Sequence, residues 1–173
     1  MILDVLTYPD KRLYEKSKKV EVFDESLHKF LDDMYETMVE YKGIGLAAIQ
    51  VGKPIRALIV NLVNEEGVQD KADLLEIINP EILEKSGEIC YQEGCLSVPE
   101  FFEDVTRPSD IVVRYQDRDG NFHEIAASEL LAVCIQHEID HLNGHLFIEK
   151  ISYKSKKRFS KEYKKILKEQ KAV

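Results

Sequence analysis

Tryptophan is absent from the chain, and cysteine, proline and glycine occur only three, five and eight times. Cys90, Cys95 and Cys134 form an odd number with no Cys-x-x-Cys pair, which excludes a disulfide framework. Each thiol is then a small buried hydrophobe or a ligand. No apolar run approaches the roughly 20 residues that span a membrane, so no membrane partner is expected. The start, Met1-Ile2-Leu3-Asp4-Val5-Leu6, lacks the positive and long apolar regions of a secretory signal and the arginines of a transit peptide. A cytoplasmic protein is expected. Residues 43–50 carry Gly43 and Gly45 but neither a third glycine nor a preceding strand, which excludes a nucleotide-binding loop. Small residues in series there instead let another backbone approach closely, as a peptide lying alongside would.

What is present is enough for one domain over residues 1–173, with 44% apolar and 32% charged residues. The net charge of −8 is unevenly spread: residues 153–173 hold nine Lys or Arg against Glu162 and Glu169, so this segment carries +7 and the rest −15. An acidic body excludes sequence-specific nucleic-acid binding as the main activity, whereas the basic extension suits an anionic partner. Phe159, Tyr163, Ile166 and Leu167 give that extension a helical apolar stripe.

Pro9 marks a turn into a short helix. From Asp24, a plausible N-cap, the apolar positions Leu27, Phe30, Leu31, Met34, Met38 and Tyr41 predict an amphipathic helix stopping at Gly43. Residues 55–63, 75–78, 87–91, 111–115 and 122–125 read as strands, with Asp119-Gly120 as a hairpin turn and 64–73 as a polar loop. Strands run together rather than alternating with helices, so the fold class is α+β with mostly antiparallel sheet. A helix from Ser128, apolar on most sides, sits at its centre.

That helix carries Gln136-His137-Glu138-Ile139-Asp140-His141. His137 and His141 stand at i and i+4, one turn apart on one face, where two imidazoles chelate one metal ion. Glu138 is placed to act as base toward a water at the metal. A catalytic site of this kind takes three protein ligands. His145 lies off the register of the zinc-protease pattern that ends in a third histidine, where Phe147 stands instead, and Glu149 and Glu162 are the only downstream glutamates within 32 residues of His141 other than Glu169 in the basic extension. Cys95, within Glu93-Gly94-Cys95-Leu96-Ser97, is the better third ligand, since a thiolate and two imidazoles suit zinc or ferrous iron. Cys90 and Cys134 are read as buried hydrophobes.

Three stretches, Gly43-Ile44-Gly45-Leu46-Ala47-Ala48-x-Gln50, Glu93-Gly94-Cys95-Leu96-Ser97 and Gln136-His137-Glu138-x-Asp140-His141, together resemble the signature motifs of peptide deformylases. The resemblance covers nearly the whole chain. It implies a monomer that removes the formyl group from formyl-methionine at the start of nascent chains. It also implies Cys95, His137 and His141 as metal ligands and Glu138 as proton carrier. Gln50 and the Leu96 N–H would stabilise the oxyanion. Ile44 and Gly45 would pair with the peptide backbone, Tyr91, Leu130, Val133 and Cys134 would line the methionine pocket, and Arg107 would lie near the substrate cleft. Asp140 would orient ligands from behind. Ligand chemistry alone favours zinc; the resemblance implies ferrous iron, with zinc or nickel as substitutes, and in related enzymes a terminal helix docks on the ribosome. Two other readings stand beside it: a zinc metallopeptidase of the His-Glu-x-x-His type, and a metal-free peptide-binding module. Against the first stands Cys95 as third ligand; against the second stand Glu138 and Gln50, which pure binding does not need.

Overall fold

The computed structural model describes residues 1–171; Ala172 and Val173, the end of the expected basic extension, lie outside the described residues. Helices α1 (Glu25–Glu40), α2 (Glu129–Leu142) and α3 (Tyr153–Lys171) are joined by strands β1 (Gly45–Ala47), β2 (Ala57–Val60), β3 (Leu75–Ser86), β4 (Ile89–Cys95), β5 (Val98–Arg107), β6 (Asp110–Gln116) and β7 (Phe122–Ser128). The strands pair antiparallel in a five-stranded sheet, β1-β2-β3-β6-β7, and a two-stranded sheet, β4-β5. The fold is α+β. No helix among the described residues is long and apolar enough to cross a membrane.

The five-stranded sheet lies between two helices, and the burial of β2 shows why its sequence is an unbroken apolar run. Leu58 and Val60 face α2, packing with Ala132, Ile135, Ile139 and Leu142. Ala57 and Ile59 face α1, packing with Leu27, Leu31, Met34 and Met38. Every β2 side chain is buried, and each large aliphatic one contributes about 1.5–3 kcal/mol. A third apolar group joins β5 to α3 through Val98, Phe101, Val105, Phe147, Phe159 and Tyr163.

Asp24 caps α1, accepting from the Leu27 N–H at 3.0 Å. The helix stops earlier than the glycine suggests: Lys42, at φ 58°, takes the left-handed position. Gly43 serves close packing instead, since a Cβ there would meet Leu96 Cδ1 at 2.9 Å. The predicted 55–63 strand shortens to β2, while 75–78 extends into twelve-residue β3. The sequence pattern does not announce β5. Its buried apolar residues Val98, Phe101 and Val105 are spaced three and four apart, and Glu100 at φ 65° breaks the alternation that would reveal a strand. Cys90 is a correction: it is exposed, opposite Thr106 on the solvent side of the two-stranded sheet, because β4 has a covered face on one side only.

Candidate active site

α2 is buried along nearly its whole length, so the imidazoles of His137 and His141 are held inside the protein, 8% and 0% exposed. Their rings lie 5.1 Å apart between centroids. Cys95, the last residue of β4, closes on them from the second sheet, with Sγ 3.4 Å from His141 Nε2. The ligand atoms of the three residues lie within 4.8 Å of one another. Metal–sulfur and metal–nitrogen lengths of about 2.3 and 2.0–2.1 Å set a tetrahedral S···N edge of about 3.5 Å. The Cys95–His141 separation matches that edge, so the donor set fits one tetrahedral divalent ion.

Charges around this set are arranged from behind. His137 Nδ1 is 2.8 Å from Glu93 Oε1, which leaves Nε2 as the coordinating nitrogen. Glu93 in turn accepts from Arg107 Nε at 2.6 Å and Nη2 at 2.9 Å, and Arg107 Nη1 donates to Asp140 at 2.8 Å. Burial pushes Glu93 up, but its bonds to Arg107 and His137 outweigh this and hold it below the ordinary carboxylate range. Burial pushes His137 down, and its bonds to Cys95 and Glu93 turn the balance upward. His141 is driven well below its ordinary value by burial and by the His137 charge, so it stays neutral and able to ligate.

Glu138 is 4% exposed, and burial raises its pKa to about 7. Its Oε2 has no hydrogen-bond partner among the described residues, so a buried carboxylate oxygen remains free to take a proton. The opposite wall is Gly45, where a Cβ would meet Glu138 Cγ and Oε1 at 3.3 Å. Gln50, 1% exposed, accepts from the Ala47 N–H through Oε1 at 2.9 Å, which turns Nε2 toward Ser97 Oγ at 3.1 Å and Cys95 Sγ at 3.5 Å. Leu96 follows Cys95 in the turn between β4 and β5.

Ile44, Leu130 and Cys134 join one apolar group, and Val133 is buried on the same helix. Burial raises the Cys134 thiol to about 12, keeping it a neutral packing group. Tyr91, 40% exposed, stands on β4. The Ile44 carbonyl accepts from the Asn61 N–H at 2.8 Å, and Gly45 follows it at the start of the edge strand β1. Arg107 is 5% exposed, with its donors committed to the buried Glu93 and the partly buried Asp140, whose charges it balances. Glu93, which orients His137, has no role assigned from the sequence. The available signal is its two-residue spacing from Cys95 on one strand.

A buried base beside a thiolate-and-imidazole triad, on an antiparallel α+β frame, defines a metal-dependent hydrolase. A family model described as polypeptide deformylase matches residues 2–157. A peptide deformylase of Wolinella succinogenes is 59% identical over 164 residues, 95% of this chain and 96% of the relative. One from Helicobacter pylori strain HPAG1 is 55% identical over 98% of both chains. Among solved structures, a Legionella pneumophila peptide deformylase superposes with a TM-score of 0.91 at 39% identity, covering 100% of this chain and 99% of that one. One from Ehrlichia chaffeensis, in complex with actinonin, gives 0.84 at 45% identity over 95% and 97%. The chain therefore belongs to the polypeptide deformylase family, metal-dependent hydrolases that remove the N-formyl group from nascent polypeptides.

Proposed function

We propose that Cys95, His137 and His141 hold one divalent ion, ferrous iron in the working enzyme with zinc or nickel as substitutes, and that Glu138 is the catalytic base. The observation that carries this reading is the buried Glu138, with an unpartnered oxygen, beside three converging ligand atoms. When bound, the metal supplies a Lewis acid that polarises the formyl carbonyl and acidifies a water. Glu138 takes the proton of the attacking water and passes it to the leaving amine, so that formate and a free amino terminus result. The Gln50 amide, held by Ala47, and the Leu96 N–H donate to the developing oxyanion; one such donor is worth about 100- to 1,000-fold in rate.

The methionine side chain occupies the wall of Tyr91, Leu130, Val133 and Cys134, and the peptide backbone pairs along Ile44 and Gly45 as an added strand. Arg107 acts through Glu93 and Asp140 rather than on the peptide. The chain works as a single catalytic domain and a monomer in the cytoplasm. Its basic α3 exposes Lys156, Lys157, Lys161, Lys164 and Lys165, charges suited to docking on the ribosome, while Phe159 and Tyr163 anchor the helix below.

The test is formate release from a formyl-methionyl peptide by anaerobically purified protein whose metal is quantified in the same sample. Glu138→Ala is expected to keep the metal and lose about 100- to 10,000-fold in kcat. Cys95→Ala is expected to lose metal and activity together. Full turnover in Glu138→Ala removes the base from the mechanism, and release from metal-loaded Cys95→Ala at the parent rate removes the thiolate.

A further inference from the structure

The two groups assigned to the oxyanion come from different parts of the fold. Gln50 lies on a single helical turn, Ala48–Val51, that follows β1 of the five-stranded sheet, and Leu96 lies in the turn of the two-stranded sheet, beside Cys95. Within its own turn Gln50 is fixed, because its Oε1 accepts from the Ala47 N–H at 2.9 Å. Its placement against the other turn is a separate matter. Gln50 Nε2 reaches Ser97 Oγ at 3.1 Å and Cys95 Sγ at 3.5 Å, but among the described residues no backbone hydrogen bond joins the two turns directly.

The chain ahead of Pro9 supplies the link. The Leu6 N–H donates to the Gln50 carbonyl and the Tyr8 N–H to the Ser97 carbonyl, each at 2.7 Å. Two residues span at most about 7 Å, so this is a short tie between the turns. The tie is held at both ends. Before it, the Leu3 N–H donates at 2.8 Å to Thr37 Oγ1 on α1, where Thr37 is fully buried. After it, the Tyr8 ring forms T-shaped pairs with Phe159 and Tyr163 on α3, with centroids 5.2 Å apart in both. Leu6, Tyr8 and Cys95 all border the apolar group that joins β5 to α3.

We propose that Leu6–Tyr8 form a strap that fixes the two oxyanion donors relative to each other, with Tyr8 as a positioning residue anchored by α3. The inference rests on the reading that Gln50 and the Leu96 N–H stabilise the oxyanion. A glutamine amide carries two hydrogens. Ser97 Oγ takes one from Gln50, and the other faces Cys95 on the side where the oxyanion develops. The strap holds the Ser97 carbonyl, so a shift of the strap moves the Ser97 hydroxyl and turns the second hydrogen away from the oxyanion. Tyr8 and α3 thereby act on the reaction through Ser97 and Gln50, without touching substrate.

The experiment measures kcat, KM and metal content with a formyl-methionyl peptide for Tyr8→Phe, Tyr8→Ala and Leu6→Pro, each alone and combined with Gln50→Ala. Tyr8→Phe keeps the ring and the N–H and is expected to keep the parent kcat. Tyr8→Ala frees the strap from α3, and Leu6→Pro deletes the N–H on Gln50. Both are expected to lose about 10-fold in kcat, short of the about 100-fold or more of a lost donor, with KM and metal content retained. In the Gln50→Ala background the same changes should cost under about 2-fold, because changes that act through one group do not add. A loss that multiplies in that background overturns the proposal, as does a loss carried by KM or a parent kcat in either variant that folds. Leu6→Pro leaves the α3 contacts of Tyr8 in place and carries the test alone where Tyr8→Ala does not fold. The side-chain amide resonances of Gln50 in the chelated protein report without turnover: they are expected to move in Tyr8→Ala and Leu6→Pro and to stay in Tyr8→Phe, and resonances unmoved in all three overturn the strap. A parent kcat in Gln50→Ala alone fails the oxyanion reading instead, and the resonances then still decide the strap.

Discussion

Arg107→Met tests the charge arrangement behind the ligand helix. Methionine retains an apolar stem of similar reach but removes the donors that Arg107 places on Glu93 at 2.6 and 2.9 Å and on Asp140 at 2.8 Å. Asp140 is 18% exposed and keeps Lys150 at 3.7 Å, so its loss is small. Glu93 is 4% exposed and keeps only His137. Breaking a buried pair by removing one partner costs about 3–5 kcal/mol. For a chain of this size 1 kcal/mol moves the melting temperature about 2–4 °C, so a fall of about 6–20 °C is expected. The pH dependence has a fixed sign. Glu93 titrates in the fold below its ordinary value of 4.5, so its contribution is complete above that pH and is lost as pH falls through the lower folded value. In Arg107→Met the acid loss should begin at higher pH. The assay is urea unfolding of the chelated protein from pH 3 to 8, with Arg107→Met/Glu93→Leu alongside; removing both charges should recover most of the stability. A single-variant loss under about 1 kcal/mol, the worth of an exposed pair, refutes the reasoning.

Gly144→Ala should destabilise the protein by about 2–4 kcal/mol. Gly144 sits at φ 82°, and a Cβ there would lie 2.5 Å from the Tyr14 carbonyl oxygen; an unchanged urea midpoint would contradict this. Gly45→Ala pushes on Glu138 from 3.3 Å and is expected to lower kcat with metal content intact. Displacing the base by a few tenths of an ångström should cost about 10-fold, short of the about 100-fold of a 1 Å misplacement. Chelation should lower the melting temperature reversibly, since an ion at 1,000 times its dissociation constant stabilises by about 4 kcal/mol. An unchanged midpoint after verified metal loss would refute tight binding of the ion by the folded site.

The helical spacing of His137 and His141 already states a shared face, because both residues lie on one regular element. α1 is legible for the same reason, with its Asp24 cap and periodic apolar residues. Local regularity also carries the buried run of β2 and the turn at Asp119-Gly120. Cys95 enters the site by chemistry and by the resemblance of its motif, since its distance from the histidines belongs to no single element. β5 escapes a reading of the pattern because its burial is irregular, and Cys90 is misplaced because composition does not say which side of a hairpin meets solvent.

What the sequence determined by itself is therefore the type of each regularly patterned element, the pair of histidines with its neighbouring base, and membership of a family through three separate motifs. These depend on neighbours along the chain, or on patterns that survive without coordinates. The tertiary structure decided the rest: that Arg107 turns inward to Glu93 and Asp140, that Glu93 orients His137, and that Gln69 bridges the Gly43 and Asn61 carbonyls. Each of these is a contact between residues from different elements. Its direction is set by which face of a strand or helix packs inward, and that choice is made when sheets and helices assemble.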